Sequence, residues 1–185
     1  MKQPSYSSYT SLTVLDSIPR TLRNGGHDYE GFSYTKQVDQ KIQNPFLVLD
    51  LINFNNVTVD YAEKTAWVGC GPTIGELYYR ISEKSKVIGF AASVCHSIGV
   101  GEHFSDGGYG MMLRKHGLAA DHVVDAHLID AKGKVLDRKS MGEDLFWRSE
   151  KGEGIHSGWF FHGKYNWLID VPETATTFNI VKTPD

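Results

Sequence analysis

The sequence predicts an α+β domain built from short strands, few helices and a ligand cradled by loops. Three features lead there. Apolar or alternating runs are short and bounded by turn residues, as at 46–51, 57–60, 65–68 and 123–129. A sustained helical spacing occurs at 73–85. Two stretches, 23–36 and 89–110, are punctuated by glycine.

Taken in order, residues 1–22 are rich in Ser and Thr without a period and read as loop. Phe46-Leu-Val-Leu-Asp-Leu51 reads as a buried strand. The NFNN cluster at 53–56 makes a turn, and 57–60 with 65–68 makes an antiparallel hairpin. Thr73-Ile-Gly-Glu76 is a capping-box pattern, in which two side chains satisfy helix N-terminal amides reciprocally. Leu77, Tyr78 and Ile81 continue that helix to about 85. Residues 89–110 read as loop, and Met111 to His116 as a short helix closed by Gly117. Val123 to Ile129 is a strand, 131–133 a turn, and 135–136 starts the return strand. Glu143 to Trp147 reads as one helical turn. Residues 148–166 show no clean period, and 177–182 read as a last strand.

The bulk numbers bound the function. A chain of 185 residues supports one ordinary domain, or two small lobes sharing a core. The net charge of −3 argues against a nucleic-acid partner, which calls for clustered Lys and Arg. No apolar run approaches the roughly 20 residues of a membrane span. The opening MKQPSYSSYTSLTVLDSIPR has no apolar core of a secretory leader, so the chain as written is expected in the cytoplasm.

The candidate chemistry lies in the two loops. RNGGHDYEG places His27 after two glycines, where it is a ligand, a base, an attachment point or merely solvated. VCHSIGVGEHFSDGGYG exposes successive backbone amides of the kind that bind phosphate oxygens. The GxxxxGK[ST] and GxGxxG fingerprints are absent. Cys95, His96 and His103 invite a metal reading, but adjacent residues rarely face one ion and no Cys-x2-Cys or His-x3-His pair accompanies them. Cys70 and Cys95, the two cysteines, are a disulfide candidate or two small buried hydrophobes.

The segments RNGGHDYEGFSY, PFLVLDL, TAWVGCGPTIGELYYRISEKS, the long run from Cys95 to Trp147, and VPETATTF together resemble the flavin-binding part of the plant berberine bridge enzyme-like oxidases, within the vanillyl-alcohol oxidase and p-cresol methylhydroxylase superfamily. The resemblance implies a p-cresol methylhydroxylase-type FAD-binding domain over 23–182, incomplete, with an irregular remnant at 1–22 and a divergent stretch at 148–166. It implies FAD as the cofactor, held bicovalently, His27 bonding the 8α-methyl of the isoalloxazine and Cys95 its C6. Around them it implies a cofactor-binding set of Arg23, Asn24, Gly25, Gly26, Ser97, Gly99, Val100, Gly101, His103, Gly107, Gly108 and Val123. It implies hydride transfer from a small-molecule C–H to flavin with O2 as acceptor, the substrates ranging over alkaloids, cannabinoids, monolignol-type alcohols and sugars. It also implies a secretory route to cell wall or vacuole.

Departures from the family pattern qualify this. The family's loop reads CPTVGVGGHFSGGGYG, whereas Glu102 and Asp106 stand here in place of glycines. A carboxylate a few ångströms from a pyrophosphate costs about 1–4 kcal/mol per charge pair. The segment that carries substrate-facing residues and the catalytic base in the family has no counterpart in the chain as written, so no catalytic acid or base is assigned. The alternatives to an active oxidase are a truncated, catalytically inactive remnant and an interaction module built on the old fold.

Overall fold

A computed structural model describes residues 20–29, 31, 33, 34, 46–130, 133–149, 158–165, 169–172 and 174. The expected strand at 177–182 lies outside the described residues.

β1 (Arg20–Arg23) pairs in parallel with β2 (Leu47–Asp50), so the chain is already regular within the stretch read as loop. What the local sequence lacked, the partner supplies: Arg23 lies opposite Asp50 and the two form an ion pair. Burial raises the Asp50 carboxyl, but the Ile52 amide and the Arg23 guanidinium outweigh it and leave the group below its ordinary value.

β3 (Val57–Asp60) and β4 (Thr65–Gly69) form the expected hairpin. Its turn is tied by Asp60, whose Oδ1 accepts the Ala62 and Glu63 amides at 3.0 Å each. The hairpin is one side of a five-stranded antiparallel sheet, completed by β6 (Val123–Asp130), β7 (Val135–Asp137) and β8 (Gly158–Tyr165) in the order β3-β4-β8-β6-β7. β8 therefore sits at the centre of the sheet. A stretch that shows no clean period in sequence thus supplies a central strand. Gly163 lies opposite Val68 on one side and Ala126 on the other, and Tyr165 lies opposite Ala66 and Val123. β5 (Ile88–Gly89) pairs with β9 (Ile169–Asp170), apart from the large sheet.

α1 (Ile74–Ser82) has both arms of its capping box: the Thr73 amide donates to Glu76 Oε2 at 2.8 Å, and the Glu76 amide to Thr73 Oγ1 at 3.3 Å. Its apolar stripe of Ile74, Leu77 and Ile81 is fully buried. α2 (Val100–Ser105) lies inside the stretch expected to be loop. Glycines masked it, yet Val100 and Phe104 fall four apart and both are buried. α3 (Leu113–His116) is the expected short helix, closed by Gly117 at φ +79°. α4 (Arg138–Ser149) is two helical pieces broken at Gly142, φ +69°, of which the expected turn at 143–147 is the second. Asp137 Oδ1 caps the first piece by accepting the Ser140 amide at 2.8 Å.

One core joins these elements. Ile74, Leu77 and Ile81 of α1, Phe104 of α2, Leu128 of β6 and Tyr165 of β8 belong to a single buried cluster. Within it the Phe104 and Tyr165 rings are 4.7 Å apart and tilted by 47°. No helix among the described residues is long and apolar enough to cross a membrane.

Candidate functional site

The site forms where the two glycine-rich loops meet above the start of α1. Backbone hydrogen bonds pin the second loop there. The Ile74 amide donates to the Ile98 carbonyl at 2.8 Å and the Gly75 amide to the His96 carbonyl at 2.9 Å. The Val100 and Gly101 amides donate in turn to the carbonyls of Pro72 and Cys70. Those two amides, expected to face phosphate, are thus engaged with the protein. The first loop packs onto the second without room for side chains. A Cβ on Gly25 would collide with the Ser97 carbonyl and the Gly99 amide, and one on Gly99 would collide with the Asn24 side chain. The Asn24 amide group donates to the Cys70 carbonyl and fastens the first loop to the chain just after β4.

This packing brings His27 to Ser97, 70 residues away. Nε2 of His27 lies 2.9 Å from Ser97 Oγ, and Ser97 Oγ lies 3.7 Å from Cys95 Sγ. His27 is exposed and Cys95 half-buried, so one hydroxyl stands between two reachable nucleophilic side chains. Tyr34, which the sequence reading did not single out, completes the first loop: its ring fills the space a side chain at Gly26 (φ +74°) would need, and the Arg23 guanidinium carbon lies 5.4 Å from its centroid. Its only sequence signal is its place in the FSY run after the glycines.

The remaining expected residues are distributed differently. Arg23 is paired with Asp50. Val100 and Val123 are buried in the core. His103 is buried and turned inward; its Nε2 accepts the Ser93 amide at 3.1 Å, and burial pushes its pKa down, so it acts as a neutral acceptor. Gly107 (φ +95°) and Gly108 (φ +72°) shape the turn after α2, where a Cβ on Gly108 would meet Ala119 and the His103 carbonyl. The inward His103 and the exposed His96 separate the Cys95, His96, His103 trio. Among the described residues, no three His, Cys, Asp or Glu groups gather as metal ligands. The disulfide alternative is corrected: both cysteines are free, and Cys70 is a buried thiol pushed up to about 12 by burial.

The electrostatics of the site are set by acids. Glu102, in the first turn of α2, has its carboxyl raised by partial desolvation, then by Asp106 and Asp28, against a lowering from His27. Asp106, at the C-terminal cap of α2, is raised by burial. Both are exposed as residues, so these charges lie at the rim and are partly screened.

Residues 13–138 match the family model described as FAD binding domain. The chain is 51% identical over 164 residues to berberine bridge enzyme-like 21 of Arabidopsis thaliana, covering 89% of the chain and 29% of that protein. It is 49% identical over 184 residues to tetrahydroberberine oxidase of Berberis wilsoniae, covering 97% of the chain and 33% of that protein. The fold matches the structure of berberine bridge enzyme from Eschscholzia californica with a TM-score of 0.81 and 47% identity, over 91% of the chain and 33% of that structure. The chain spans about a third of the length of the relatives it matches. These relatives overturn the expectation of a cytoplasmic protein. That expectation rested on the absence of a leader within a span too partial to decide it, whereas the family's route is secretory. The sequence match, the shared fold and the meeting of the two loops place the chain in the berberine bridge enzyme-like group of FAD-binding proteins, as part of their flavin-binding portion.

Proposed function

We propose that this chain holds FAD covalently through His27 and Cys95, and that in a full-length protein of this kind it serves the oxidation of a small-molecule C–H with O2 as the final acceptor. The observation that carries the reading is the convergence of His27 and Cys95 on one serine hydroxyl from opposite loops. The residues fit such a group. An exposed and a half-buried nucleophilic side chain meet at one place, and the backbone beside them carries glycine at 25, 26 and 99. FAD, when bound, supplies the two-electron chemistry. The chain's own contribution is to anchor it at two points, fix its orientation and surround it with the acidic rim of Glu102 and Asp106. Arg23, Asn24 and the glycines of the two loops act in this reading by shaping and bracing the loops that carry the anchors. The name of the tetrahydroberberine oxidase supports a small-molecule donor.

For these 185 residues by themselves, the reading favoured by their coverage is a flavin holder without turnover, because they span about a third of the relatives and present no assigned base. Expression, denaturation and gel filtration test both halves. Flavin absorbance is expected to travel with the denatured polypeptide, to persist in part in each of His27→Ala and Cys95→Ala, and to vanish in the double variant. Oxygen uptake with alkaloid or sugar donors is expected to be absent. A folded chain that takes up no added FAD would overturn the reading, and substrate-dependent oxygen uptake would overturn its inactive half.

A further inference from the structure

Ser97 is the only side chain among the described residues placed between His27 and Cys95 by hydrogen-bonding distances to both. Its backbone is held rigidly: the carbonyls on either side of it, His96 and Ile98, accept the first amides of α1, and its own carbonyl faces Gly25 where no side chain fits. A hydroxyl fixed this firmly selects among the states of its partners. A neutral imidazole has one N–H and one lone pair, and which nitrogen holds which follows from the partner of the other.

We propose that Ser97 is a positioning residue for flavin attachment: its hydroxyl accepts the Nε2–H of His27 and donates toward Cys95 Sγ, so that Nδ1 of the histidine and the sulfur are presented together. The proposal rests on the covalent FAD reading above. With Nε2 protonated toward Ser97, the lone pair sits on Nδ1 and points away from the serine. Forming the bond from Nδ1 to the 8α carbon breaks one methyl C–H and, once the alkylated imidazole sheds its charge, the Nε2–H bond. Two protons leave and two electrons pass into the ring, from which O2 removes them. Ser97 Oγ holds the Nε2–H in a hydrogen bond until that proton passes to solvent, to which the exposed His27 is open. Without the hydroxyl, His27 is free to populate the tautomer with its proton on Nδ1, which has no lone pair there to react.

Ser97→Val and Ser97→Thr separate hydroxyl from bulk, since the two replacements have nearly the same shape. In the 185-residue chain loaded with FAD, the rate of covalent attachment per bound flavin is expected to fall by roughly tenfold in Ser97→Val, the scale of one lost hydrogen bond to a reacting group. Ser97→Thr is expected to restore it. Nitrogen-15 chemical shifts of the His27 ring without flavin provide a second readout, with Nε2–H dominant in the unaltered chain and in Ser97→Thr, and a mixture in Ser97→Val. Attachment in Ser97→Val at the unaltered rate, or a His27 ring whose proton resides on Nδ1 in the unaltered chain, would overturn the proposal. If the chain takes up no FAD at all, the covalent reading fails, and the ring shifts still decide what Ser97 does to His27.

Discussion

α1 and β8 both contribute to the same core, yet they are specified in opposite ways. α1 carries its instructions within itself: a cap at Thr73, its reciprocal partner at Glu76, and Ile74, Leu77 and Ile81 on one stripe. β8 carries almost none. GWFFHGKY does not alternate cleanly, and its place follows from register with β4 and β6, strands about 95 and 35 positions earlier in the chain. Helical pattern is read from neighbours three and four apart, whereas a central strand is defined by two partners that the local sequence does not name. The glycine at 163 shows the difference. In sequence it looks like a break, and in the sheet it is buried between Val68 and Ala126.

That contrast can be broken by substitution. Tyr165→Ala is expected to be the most damaging change, at about 3–5 kcal/mol, because it empties a fully buried aromatic site against Phe104 in the central strand. Urea denaturation followed by circular dichroism measures it, and a cost below 1 kcal/mol would mean β8 is not integral to the sheet. Thr73→Ala sharpens the other side of the comparison. Loss of the cap should cost about 1 kcal/mol and leave the fold intact, since the apolar stripe of α1 remains.

The smallest effect is expected at the acidic rim. The Glu102 carboxyl is raised in the folded chain, so folding favours its protonated form. Its ionisation therefore weakens the fold as pH rises from the ordinary carboxylate value through the raised one, and the penalty persists at neutral pH. Glu102→Gln should raise the melting temperature at pH 7 by about 1–3 °C, with the gain lost as pH falls through the raised value and essentially absent at and below the ordinary carboxylate value, about 4.5. A gain that is equal at both pH values would assign it to helix propensity and not to charge.

Much of the site was legible because its signals are local. The resemblance carried by the GGH and glycine-loop motifs named His27, Cys95 and Ser97, and the structure brings these three side chains together. His103 of the second loop and Val123 at the start of β6, drawn from the same resemblance, turn inward, and Arg23 is taken by Asp50, because a motif lists neighbours along the chain without saying which way each faces. Tyr34 went unnoticed for the complementary reason, since its role is to fill space left by a glycine eight residues earlier.

What the sequence by itself determined is therefore the set of pieces that close within one or two turns of chain: the capped helix α1, the β3–β4 hairpin with its Asp60-tied turn, the Gly117 stop and the two glycine-rich loops. Tertiary structure decided β1, α2 and β8, the free state of Cys70 and Cys95, and the meeting of His27 with Ser97 across 70 residues. The division follows from how each contact is stabilised. A cap or a turn closes over three or four residues and its geometry is written in their side chains. A sheet centre or a two-loop site exists only after distant segments have met, and burial of the shared core is what brings them together.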